Sequence, residues 1–171
     1  MNDRSERSSL GILPEDCDPR LVELHSYWER IRPAPDLLPG RQHFDPVDVP
    51  KLLPWIWLAD VEHDPLRFRY RLTGTEHVMA MSGDYTRRLI GEKNPDFLTT
   101  PQGSHYVVAV EQGILAYYRG APTVYTNLNH SWFERVLLPL ARDGKTVDML
   151  LGMTIYHRLT SWFWKGVGLK A

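Results

Sequence analysis

The sequence predicts an α+β domain, a five-stranded antiparallel sheet with helices on one face, preceded by an N-terminal amphipathic helix. Three observations predict it. Behind Asp18-Pro19, the apolar residues Leu21, Leu24, Trp28 and Ile31 recur near helical spacing. In "RFRYRLTG", Arg67, Arg69 and Arg71 alternate with Phe68, Tyr70 and Leu72, the period of a half-buried strand. In "RVLLPLARDGKTVDMLLG", two apolar runs meet at Asp143-Gly144. That dipeptide signals a hairpin, because glycine adopts positive φ without steric cost.

Residues 1–17 are polar and mixed in charge and are expected to be a flexible N-terminal segment. Residues 18–33 form the first helix, with Asp18 as N-cap, Pro19 at the first helical position and Pro33 and Pro35 as stop. Its apolar stripe packs on the domain or forms a dimer interface. Residues 33–54 hold six prolines, yet Phe44, Leu52 and Leu53 argue that the stretch is strapped onto the domain. "WIWLADVE" and "RFRYRLTG" are strands joined by a turn at Asp64-Pro65. The arginine row reads as a solvated face.

Short helices are expected at Thr75–Ser82 and in "DYTRRLIGE", with a loop at "NPDFLTTPQG". A longer helix is expected through "SHYVVAVEQGILAYYRG", stopped by Gly120, with Gly113 inside it at a cost of about 1 kcal/mol against alanine. "TVYTNLNH", "WFERVLLPLA" and "VDMLLGMTIYH" are the last three strands. Pro139 donates no ladder bond, so an exposed edge or bulge is expected there. In the last strand, Val147, Met149, Leu151, Met153 and Ile155 share one face, and Asp148, Leu150, Gly152, Thr154 and Tyr156 share the other. Whichever row faces the helices lines any pocket. The other needs a cover or a partner.

Totals exclude several classes. A chain of 171 residues suits one domain with a real core. The formal net charge of −1 gives no global field to gather nucleic acid or an anionic membrane. Cys17 is the only cysteine, which rules out an internal disulfide, a Cys-rich zinc site and an iron–sulfur cluster. No signal peptide and no apolar run of membrane-spanning length is seen, so a cytoplasmic location is expected.

The order of helix, two strands, short helices, connecting helix and three-stranded meander resembles the PAS domain, a sensory and interaction fold. The residues carrying the resemblance are "LPGRQHFDPVDVPKLLPWIWLADVE", "FRYRLTGTE" and "ERVLLPLARDGKTVDMLLG". Over residues 20–157 the chain is similar to a stand-alone PAS subgroup of alphaproteobacteria. The resemblance implies a domain at 18–157, a cup between sheet and helices, and signalling through a partner protein. It does not choose a ligand.

Flavin photochemistry in this superfamily uses a cysteine in the cup, and Cys17 lies before the domain. Haem needs an axial histidine; His105 at a helix start and His77 on a short helix are the only candidates, and each has an ordinary structural reading. No cofactor is therefore expected, and haem and flavin are set aside. The seven histidines show no ligand pair one helical turn apart and no HExxH frame, so no metal site is expected. No GxSxG elbow is present, and Arg87, Arg88 and Lys93 read as solvated charge rather than a phosphate site. Tyr70, His77, Met79, Met81, Tyr106, Tyr117 and Met149 are the pocket candidates. Methionines and aromatics suit a small apolar or amphipathic ligand, and they also fill cores. Interface candidates are Leu21, Leu24, Trp28 and Ile31, and, in the tail 158–171, Trp162, Phe163 and Trp164. Those three are consecutive, so no single face hides them all.

The expected function is thus a non-enzymatic sensory or adaptor domain, a homodimer acting on a signalling protein. A metabolite or lipid receptor is the alternative. A small cone-shaped α+β enzyme such as an isomerase is the third reading.

Overall fold

The structure, a computed structural model, describes residues 6–121 and 130–158. Their strands are β1 (Arg7–Leu10), β2 (Ile56–Glu62), β3 (Arg67–Thr73), β4 (Ala116–Gly120), β5 (His130–Leu140) and β6 (Met149–Arg158). Their helices are α1 (Pro19–Arg30), α2 (Thr75–Ala80) and α3 (Pro101–Gln112). The strands form one antiparallel sheet in the order β1-β4-β5-β6-β2-β3. No helix among the described residues is long and apolar enough to cross a membrane.

α1 forms where the spacing places it. The Asp18 carboxylate accepts the Arg20 backbone N–H and binds the Arg20 guanidinium, satisfying an orphan donor at the helix start. Leu21, Leu24, Tyr27 and Trp28 are buried. Trp28 Nε1 donates to the Pro139 carbonyl at 2.9 Å, fastening the helix to β5. The Pro-rich stretch is strapped on as expected, through three short 3₁₀ turns that bury Phe44, Val49 and Leu52.

The strand count differs from five. Arg7–Leu10, in the segment expected to be flexible, is an edge strand against β4. It shows no alternating apolar pattern, because it covers the sheet's edge rather than its face. Ala116–Gly120, expected as the end of the long helix, is β4. α3 stops at Gly113, which adopts φ +64 as a left-handed C-cap. The glycine read as a cost inside a helix is the signal that ends it. The strand expected at "TVYTNLNH" falls on residues 123–130, nearly all outside the described residues. "DYTRRLIGE" is not a helical turn either. Its backbone runs beside β3, with Tyr70 N donating to Arg88 O and Ile90 N to Phe68 O.

Pro139 lies in β5, between β4 and β6 in the sheet order, and the register explains why it is tolerated. Leu140 O accepts from Asp148 on the β6 side. Pro139 therefore turns its backbone the other way, beyond Leu137, where pairing with β4 ends. The Asp143-Gly144 turn forms as predicted. Gly144 has φ +80, and Asp143 accepts the Lys145 and Thr146 N–H groups. The arginine row is wet and ion-paired: Arg67 and Arg69 meet Glu62, and Arg71 meets Asp60.

Candidate functional site

Register decides which row of β6 faces which layer. Glu134 pairs with Ile155, Val136 with Met153 and Leu138 with Leu151. Directly opposed residues share a face. Glu134 accepts the Asp18 N–H at the start of α1, so this apolar row lies under α1. Arg135 pairs with Thr154 and Phe133 with Tyr156. Arg135 reaches Tyr106 of α3, so the mixed row faces the helices that close the cup.

A cavity of about 240 Å³ lies between that face and the segments from α2 to α3. Its sheet wall carries Trp57, Tyr70, Phe133, Arg135, Thr154 and Tyr156. Its opposite wall carries His77, Met81, Tyr85, Leu89, Ile90, Phe97 and Tyr106. The pairing of residues 87–90 with β3 brings Tyr85, Leu89 and Ile90 over the cup. Trp57 is fixed from two sides. Its Nε1 donates to Thr154 Oγ1 at 2.9 Å, and its indole lies on Gly152, where any Cβ would collide with it. This is why the mixed row of β6 contains a glycine. Tyr106 stacks 6.1 Å from Trp57, and Phe97 meets it edge-on.

The polar groups are few. His77 sits between two tyrosines, with Tyr70 Oη 3.3 Å from Nε2 and Tyr156 Oη 3.1 Å from Nδ1. A neutral imidazole donates at one nitrogen and accepts at the other, which fits this bracket. Burial, and secondarily the Arg135 cation, pushes His77 down to about 3. Burial raises the Tyr70, Tyr106 and Tyr156 phenols above their ordinary value. Arg135 is 6% exposed. Its Nη1 donates to Tyr106 Oη at 3.2 Å and its Nη2 to the Gln102 carbonyl at 2.8 Å. Nε is buried without an acceptor among the described residues. The guanidinium also lies 4.5 Å from the Tyr106 ring centroid.

Of the predicted pocket residues, Tyr70, His77, Met81 and Tyr106 come together here. Met79 does not; it is 56% exposed on the outer side of α2. Tyr117 opposes Val136 and therefore points to the α1 face, where its hydroxyl donates to Glu134 at 2.9 Å. Met149 is on the same apolar row as Leu151 and borders a separate groove with Arg41 and Asp148. Among the predicted interface residues, Leu21, Leu24 and Trp28 are buried against their own domain and Ile31 is partly buried there. The helix stripe is thus covered by its own domain. Trp162, Phe163 and Trp164 lie outside the described residues.

Sequence reasoning passed over Arg135 and Trp57 as site residues. A signal for Arg135 existed: Glu134-Arg135 interrupts an otherwise apolar strand interior, which places one charge on each buried face. Cys17 is buried near Glu134, and burial followed by that carboxylate pushes its thiol up to about 11, an unreactive state. His105 hydrogen-bonds the Pro101 carbonyl through Nδ1 and packs edge-on against Tyr118. No three His, Cys, Asp or Glu groups among the described residues are arranged to hold a metal ion.

A family model described as a PAS domain matches residues 18–155. No curated protein and no solved structure matches the chain.

Proposed function

The chain belongs to the PAS domain family, whose members are sensory and signalling domains, and on that premise we propose that it is a non-enzymatic receptor that binds a small molecule in its cup. The observation that carries this reading is the buried Arg135 guanidinium, which lines an aromatic cavity and has too few acceptors among the described residues. Core filling alone gives no reason to bury such a group, because an unpaired charge is costly. The same strand supports a route for output. Arg135 faces the cup, and the adjacent Glu134 holds the Asp18 N–H, the Tyr117 hydroxyl and His157 on the other face. A ligand that shifts β5 changes how the start of α1 is held, and a partner protein reads that change.

An enzymatic reading has weaker support. His77, buried in the cup, is a weak base with both ring nitrogens engaged by tyrosines. Native mass spectrometry of protein purified without denaturation tests the receptor reading. A stoichiometric extra mass, absent from Arg135→Met, is expected. A clean apo mass for the wild type favours an adaptor with an empty cup.

A further inference from the structure

The chemistry of the cup narrows what it holds, provided that the cup is a ligand site as proposed above. Burying a guanidinium removes its hydration, and protein normally compensates with a carboxylate. Here both acceptors, Tyr106 Oη and the Gln102 carbonyl, are neutral. Among the described residues, the one carboxylate lining the cavity, Glu92, is exposed at its rim and pairs with Arg88. Glu134, the nearest in sequence, is directed to the other face of the sheet. Among the described residues, no negative charge balances this buried cation.

Three further features limit the ligand. Among the described residues, Arg135 is the one buried cation of the cavity; Lys93 is exposed at the rim and His77 is held neutral. One buried positive charge balances one negative charge, so a monoanion fits better than a phosphate dianion. The planar guanidinium fork matches carboxylate geometry. Trp57, Tyr106 and Phe133 line the cavity with it, and an aromatic lining favours a flat apolar body. A volume of about 240 Å³ is below the roughly 300–1,000 Å³ of drug-sized sites, so it suits a single ring.

We infer that the cup binds a small aromatic monocarboxylate, its carboxylate on Arg135 and its ring among Trp57, Tyr106 and Phe133. Tyr106 Oη and the Gln102 carbonyl hold the guanidinium in place, and the ligand oxygens complete its set of acceptors.

Isothermal titration calorimetry tests this with phenylacetate and benzoate, their neutral amides, and phenyl phosphate. On the wild type the carboxylates bind more tightly than the amides, by about tenfold or more, as expected when one charge-assisted pair is gained. Arg135→Met removes that preference and leaves the weak amide binding. Arg135→Lys, which keeps the charge but loses the fork, gives intermediate affinity. The wild-type comparison of acid with amide stands even if a variant folds poorly. Equal affinity for acid and amide overturns the inference, as does tighter binding of phenyl phosphate. If none of the probes binds but native mass spectrometry finds a neutral extra mass, the carboxylate assignment falls and the receptor reading stands. If none binds and the protein is cleanly apo, both fall.

Discussion

Glu134 and Arg135 are neighbours on β5, both are buried, and the sheet sends them to opposite faces. On the α1 face, the Glu134 carboxylate accepts from the Asp18 N–H and the Tyr117 hydroxyl, and it meets His157 Nε2 at 3.1 Å. Each of its oxygens has a partner. On the cup face, Arg135 has two neutral acceptors and an Nε with none among the described residues. A buried charge with its full set of partners organises structure, here the docking of α1 on the sheet. A buried charge without them points to a partner from outside the chain. The two faces of one strand thus divide the domain into a structural side and a receptive side.

The comparison is easiest to break on the structural side. Glu134→Ala orphans the Asp18 N–H and the Tyr117 hydroxyl and takes the carboxylate away from His157, and a loss of about 3 kcal/mol or more is expected in urea unfolding. An unchanged midpoint would mean that the pairing on the α1 face contributes little.

The next effect comes from acid. Above pH 6.5 His77 is neutral in both folded and unfolded chains, and it adds no pH dependence. Below that, the unfolded chain takes up a proton that the folded cup refuses until about pH 3. Stability therefore falls as pH drops through this window, by up to about 1.4 kcal/mol per pH unit. In His77→Phe the slope is shallower than in the wild type. His105, also held low mainly by burial, contributes to both proteins and cancels in the difference. Identical slopes would show that His77 is hydrated rather than enclosed.

The smallest expected effect is the most informative. Arg135→Met in the ligand-free protein changes stability by less than about 1 kcal/mol, because an under-satisfied buried charge is exchanged for apolar packing. A loss as large as that of Glu134→Ala would make the two faces equivalent and assign Arg135 to structure.

Much of the fold was open to sequence reasoning, and the missing parts have a common cause. Local signals placed α1 from Asp18-Pro19, β3 from its arginine alternation and the last hairpin from Asp143-Gly144. β1 and β4 escaped because their pairing is long-range. Ser8 and Ser9 owe their strand to Tyr118 and Tyr117, more than a hundred residues away. The same limit applied to the site. Tyr70 and Tyr106 were placed in the cup from local pattern, whereas Tyr117 was misplaced because its face depends on lying opposite Val136. Arg135 hid in a run of apolar residues whose two faces are both buried, one under α1 and one in the cup.

The central claim is that Arg135 lacks an acceptor that a ligand provides. Nitrogen-edited NMR of the side-chain N–H groups reads this directly. On adding phenylacetate, the Arg135 Nε–H and Trp57 Nε1–H resonances are expected to shift together and saturate with one site. If phenylacetate binds and the Arg135 Nε–H resonance stays where it was, the claim is wrong.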